Sequence, residues 1–296
     1  MVRLMALFGA ICISFSAIFV GMADVAPATA TFFRTAYALP LLFVIWWRVR
    51  GRDRRSPPMR RLAFVSGLLL GADFTLWHFS IDSIGAGLAT VLANTQVLFV
   101  GLIAWFLHGE RPRPLALALV PVVFLGVVLL SGLGGADAYG SNPFAGVLFG
   151  VGAGLAYSGF LVALRRSNRV LAPASGPLLD ATLGAMLGTA AVGLAGGPSL
   201  ELAPVWPAHG WLLTLAVVSQ VVGWLSITTA LPRLPALETS IVLLAQPMGS
   251  VLWSRLIFGE NLSFVQWAGV ALVLAGVTLL SMRWGERRAS RKVVPA

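Results

Sequence analysis

A handful of ionisable side chains stand inside the long apolar stretches of this chain: Arg34, Asp73, His78, Asp180 and Arg255, with Glu238 close to one end. Water-free surroundings make such groups costly, so each is a functional candidate by default. Phe74, Trp77, His78 and Ile81 follow i, i+3, i+4, i+7 and share one helix face. Such a stripe is either packing or the wall of a binding site. The imidazole favours the wall, since facing lipid would waste it; it can hydrogen-bond a carboxylate or an amine, or titrate. Asp73 is the acid nearest to it, and with Arg34 and Arg255 it makes up the possible coupling or relay groups. The two arginines sit toward the same end of their stretches. They snorkel to the interface, pair with Asp24 or Glu260, or relay a carboxylate. Asp180 lies near enough to an end for plain solvation.

Tyr37, Asn94, Gln96, Tyr157, Phe160, Gln220, Trp224 and Gln246 are the other mid-stretch candidates for binding a small molecule. Amides in such places also serve as glue between helices, and both readings stay open. The chain has no His-Glu-x-x-His, no Gly-x-Ser-x-Gly and no phosphate-binding loop, so neither an enzyme nor an ATPase is expected. Cys12 is the only cysteine, which excludes a disulfide within the chain and a cysteine metal cluster. No metal site or cofactor is expected.

The elements that position these groups follow from composition. Hydrophobic residues make up 58% and charged residues 11%, with mean hydropathy +0.87; soluble domains carry about 25% charge. Apolar runs at 4–22, 30–47, 62–81, 86–107, 115–133, 144–164, 176–195, 209–230, 236–258 and 264–282 are each long enough for a ~30 Å hydrocarbon core. Barrel strands would alternate over roughly 10 residues, so the expected fold is all-α with ten transmembrane helices. The formal charge of +10 reflects topology rather than nucleic-acid binding. With the N-terminus inside, every Lys and Arg except Arg34 and Arg255 falls on the inner side, seven of them between Arg48 and Arg61. Both termini are therefore expected in the cytoplasm and the chain in a bacterial-type inner membrane. Arg3 and Ala28-Thr29-Ala30 resemble a cleavable signal, but Leu7-Phe8-Gly9 recurs as Leu148-Phe149-Gly150, and the first span is read as retained.

The halves repeat. A shift of 150 residues lays Leu88–Ser131 over Glu238–Ser281, matching Gln96 to Gln246, Gly109-Glu110 to Gly259-Glu260, and Leu129-Leu130-Ser131 to Leu279-Leu280-Ser281. Five spans per copy force the second copy to enter from the opposite side, the pattern of secondary transporters. The expected units are 1–134, 144–283 and a basic tail at 284–296. Gly67/Gly71, Gly146/Gly150/Gly154 and Gly184/Gly188 predict close helix contacts, and Trp46, Trp47, Trp105, Trp206, Trp211 and Trp284 fit interface belts.

The paired blocks FLHGERPRP…LGVVLLS and LIFGENLSF…AGVTLLS, each preceded by a segment such as IDSIGAGLATVLANTQVLF or LPALETSIVLLAQPMGS, resemble the drug/metabolite transporter superfamily, EamA type. Within it the chain looks most like the YddG-type exporters of aromatic and other neutral amino acids. The resemblance implies a central cavity lined by the first four helices of each half, with the fifth peripheral. No span carries Lys and only two carry Arg, which argues against phosphorylated substrates. The first span has Ser14 and Ser16 where related small-multidrug transporters carry a carboxylate. The expectation is a secondary carrier exporting a zwitterion with an apolar, aromatic side chain by alternating access. Its partners would be that small molecule and the bilayer, with no nucleic acid and no ATPase subunit. The alternatives are export of another metabolite or drug, or a channel or sensor.

Overall fold

Lipid offers the backbone no hydrogen bonds, so apolar runs of this length close their own as helices. A computed structural model describes residues 2–108, 114–130, 139–168, 173–195, 199–230 and 236–292, and every regular element among them is helical. In order these are α1 (Val2–Ser14), α2 (Ser16–Ala23), α3 (Pro27–Val49), α4 (Pro57–Ile84), α5 (Ala86–Ala93), α6 (Gln96–His108), α7 (Pro114–Leu130), α8 (Pro143–Ser167), α9 (Ser175–Leu194), α10 (Ala208–Thr214), a π-helical turn (Leu215–Gly223), α11 (Trp224–Ala230), α12 (Ala236–Phe258) and α13 (Phe264–Lys292). Among the described residues, seven segments are long and apolar enough to cross a membrane: Val2–Ala23, Pro27–Arg52, Pro57–Ile84, Ala86–Ile103, Pro143–Ser167, Ser175–Leu194 and Ala208–Ala230. The other expected spans fall on α7, α12 and α13. Trp105, Trp284, Glu110 and Glu238 have side chains outside the described residues.

Three expected spans are interrupted. The first breaks at Phe15, between α1 and α2, and the eighth passes through the π turn. The fourth breaks at Asn94 and Thr95 with no Gly or Pro to explain it. The Asn94 amide donates to the Thr90 carbonyl at 2.8 Å and the Thr95 hydroxyl to the Leu92 carbonyl at 2.7 Å. Short polar side chains that bond nearby backbone compete with the helix ladder, and here they cap its interruption.

The most extensive helix contacts join α4 to α8 and α9, α3 to α9, and α7 to α13. All of these cross from the first expected repeat to the second. The glycine stripes make the closest of them. A Cβ on Gly67 would collide with the Ala181 carbonyl, and one on Gly184 with that of Phe64, so α4 and α9 meet backbone to backbone. Gly146, Gly150 and Gly154 of α8 receive Ile84, Leu92 and Thr95. Gly126 and Gly269 play the same part between α7 and α13. The seams therefore bind one half to the other.

The two ends of α4 are tied differently. Before its start, Arg55 contacts Asp53 at 2.8 Å and Asp180 of α9 at 2.9 Å, while Arg60 reaches Asp180 at 3.5 Å. Asp180 is thus paired rather than merely solvated. Burial alone would raise the Asp53 carboxyl, but bonds from Arg55 and from the Trp46 indole, with the Arg55 charge, hold it at about 2. Past the far end, Glu260 accepts from the Ala86 and Gly87 amides at 2.7 and 3.2 Å, capping α5. Burial raises its carboxyl despite those bonds. Gly85 makes the approach possible: its φ is +84°, and a Cβ there would sit 2.6 Å from the Glu260 carboxylate.

Candidate functional site

Arg34 occupies the heart of the bundle, 1% exposed. It neither snorkels nor pairs with Asp24 or Glu260, because α3 turns this side chain inward onto α4 and the π turn. Its Nε donates to Gln220 Oε1 at 3.0 Å, and the Gln220 amide reaches Thr182 Oγ1 at 3.4 Å. Its guanidinium carbon lies 3.7 Å above the Phe74 ring and 5.8 Å from the Trp77 ring. Faces of aromatic rings attract a desolvated cation by roughly 2 kcal/mol, which offsets part of the burial cost. Gln220 comes from a π turn, a distortion that recurs at functional sites.

Asp73 is close enough for its charge to act on Arg34, yet no ion pair joins them among the described residues. Asp73 is 6% exposed. His78, one turn further along α4, has its Nδ1 3.1 Å from the Thr31 hydroxyl and 3.2 Å from the Pro27 carbonyl. Thr31 spends its proton on that same carbonyl at 2.9 Å. Nδ1 therefore faces two acceptors and carries the ring hydrogen, which leaves the lone pair on Nε2 in the neutral ring.

Arg34 Nη1, Trp77 Nε1 and His78 Nε2 are buried without a hydrogen-bond partner, and so is Gln96 Oε1 at the start of α6. Two are donors and two are acceptors. A buried polar atom without a partner costs about 1–3 kcal/mol, so each calls for an explanation such as a water, an ion or a ligand. The Trp77 and His78 rings are 5.4 Å apart, which places a donor beside an acceptor.

The apolar wall comes from α8 and α11. Tyr157 stacks on Phe160 at 5.9 Å, and Trp224 meets both edge-on at 6.0 and 5.9 Å. All three pack in one cluster with Phe74. Arg34, Asp73, Phe74, Trp77, His78, Tyr157, Phe160, Gln220 and Trp224 are thus gathered from widely separated stretches. Tyr37 packs against the same aromatic cluster, with its phenol bonded to His209 Nδ1 at 2.7 Å. Three candidates are not part of the cluster. Asn94 is satisfied within its own turn. Gln246 is half-buried and bonds to nothing among the described residues. Arg255 is exposed, 6.0 Å from the Trp267 ring, as an interfacial side chain would be.

Sequence reading missed an aromatic ladder at the break in the first span. Trp253, Phe15, Phe19 and Trp211 stack in succession at 4.7, 6.0 and 6.3 Å. Trp211 therefore packs inward rather than belonging to an interface belt. Phe15 and Phe19 are spaced i, i+4, but apolar neighbours on every side hide that signal.

A many-helix membrane bundle that encloses a polar cluster of donors and acceptors, walled by aromatic rings, has the architecture of a small-molecule transporter. The EamA-like transporter family profile matches residues 1–132 and 144–282, and the chain belongs to that family. It is similar to the uncharacterized transporter sll1319 of Synechocystis sp., 24% identical over 269 residues, covering 84% of this chain and 77% of the relative. It is also similar to the uncharacterized transporter YwfM of Bacillus subtilis, 21% identical over 224 residues, covering 74% and 73%. A solved structure described as "Crystal structure of protein" superposes with TM-score 0.64 at 19% identity, covering 97% of this chain and 98% of that one, a likeness of fold.

Proposed function

We propose that this protein is a secondary transporter that exports neutral, aromatic amino acids across the inner membrane by alternating access. In this reading it crosses ten times as two inverted five-helix repeats, with both termini in the cytoplasm. The observation that carries it is the buried Arg34, its guanidinium over the Phe74 ring and its Nη1 free, with unpartnered atoms on Trp77 and His78 and the charge of Asp73 acting on it. A carboxylate suits the guanidinium and the indole N–H. An ammonium suits the imidazole lone pair and Asp73. The Tyr157–Phe160–Trp224 wall suits an aromatic side chain.

A second reading, export of an aromatic carboxylate without an amine, draws on Arg34 alone. Counterflow in proteoliposomes separates the two. Labelled phenylalanine should exchange against phenylalanine and tryptophan, while 3-phenylpropionate should compete poorly because nothing on it answers His78 and Asp73. Equal competition would move the assignment to organic anions, and free equilibration without counterflow would point to a channel. Arg34→Gln should abolish exchange of both classes.

A further inference from the structure

At the arginine-rich end of α4, a cavity of about 390 Å³ is lined by Arg55, Pro57, Arg60, Arg61, Phe64 and Asp180. Its charges do not balance. Arg55 is consumed by Asp53 and Asp180 at 2.8 and 2.9 Å, and its side chain is fully buried. Arg60 reaches Asp180 only at 3.5 Å, with its own side chain 46% exposed. Arg61 is exposed and has no ion pair or hydrogen bond among the described residues. Two neighbouring guanidinium groups therefore face an open cavity, one loosely held and one free.

The surroundings fix the depth. Arg60 lies 5.4 Å from the Trp46 ring and Arg50 3.6 Å from that of Trp47, the pairing of cation and indole found where a bilayer meets water. Below the arginines, the cavity wall turns apolar at Phe64. Along the same helix, Val65, Leu68 and Leu69 are 53%, 44% and 40% exposed, and Leu183 and Leu187 of α9 are 37% and 46% exposed. Gly188 lies against Leu68, so the two exposed apolar strips are neighbours.

We propose that this cavity is a binding site for a phosphate group, with the phosphodiester of an anionic phospholipid as the occupant that fits it. Arginine forks match phosphate oxygens two at a time, and basic pockets between helices at headgroup depth take anionic lipids. The exposed apolar strips along the same two helices give an acyl chain its place, which a free phosphate would not use. Binding would draw Arg60 from Asp180 toward the phosphate, leaving Asp180 to Arg55 and the seam between α4 and α9 intact. This site is separate from the Arg34 cluster and does not depend on the transported substrate.

The test is thermal unfolding of the purified full chain in detergent, followed by tryptophan fluorescence. The probes are dihexanoyl phosphatidylglycerol, dihexanoyl phosphatidylcholine and inorganic phosphate. Wild type should gain a few degrees with the glycerol lipid over the choline lipid, as a ligand of the folded state must give. Arg61→Gln, which breaks no contact among the described residues, should lose that gain, and Arg60→Gln with Arg61→Gln should lose it entirely. Inorganic phosphate giving the same Arg61-dependent gain would keep the phosphate site but assign it to a soluble ligand. No gain with either probe, or a gain unchanged in Arg61→Gln, would overturn the proposal.

Discussion

Trp77 and His78 carry the sharpest test at the level of single residues. The Trp77 ring lies against the buried guanidinium and its N–H is free, so Trp77→Ala should weaken aromatic substrates more than alanine or threonine. A loss of ~1.4 kcal/mol would make that about tenfold. His78→Ala should impair every amino acid alike, because each carries the same head group; transport by folded, normally expressed variants measures both. Asp73, His78 and the stripe around them were legible in the sequence because ionisable groups are rare in apolar stretches. Arg34 was legible as a residue but its inward direction was not, since its position along the span says nothing of which neighbours it turns toward. His209, at the start of a span, was not singled out from the sequence, yet it is 8% exposed and bonded to Tyr37. Asp53, outside the spans, gives a pH test. Its carboxyl is held at about 2, below its ordinary 3.8. Its pairing therefore stabilises the fold fully above about pH 4 and is lost as pH falls toward 2. Asp53→Asn should lower the unfolding midpoint at pH 7, with the gap to wild type closing as pH drops through that window.

At the scale of elements, spans were readable from composition while their interruptions were not. Hydropathy averages over a turn or more, so the breaks at Phe15 and at Asn94–Thr95 and the π turn at Leu215–Gly223 leave no trace in it. Helix contacts fared better, because small residues at four-residue spacing have one physical use in lipid, close approach. The tightest seam is open to test: Gly184→Val drives a side chain into the Phe64 carbonyl. Overpacking costs roughly 1–3 kcal/mol, so the unfolding midpoint should fall clearly. Gly152→Val, whose added Cβ meets only Leu76 at 3.5 Å, should leave it nearly unchanged.

For the whole molecule, the repeat visible in the sequence says nothing of how the halves pack together. Similar halves invite the picture of two bodies, yet the main seams cross between them: α4 against α8 and α9, α3 against α9, α7 against α13. The crossing seams also bear on how the protein is made. The ribosome delivers the first half complete with Arg34, Asp73 and His78, while Gln220 and the glycines of α9 do not yet exist. For that interval a buried arginine and an aspartate have only lipid, water or a membrane chaperone for company. Residues 1–134 expressed alone should be cleared quickly by membrane proteases, and co-expression of residues 135–296 should restore their lifetime, as pulse-chase labelling would measure. A nascent half as durable as the full chain would mean that the seams close late and matter little to its survival.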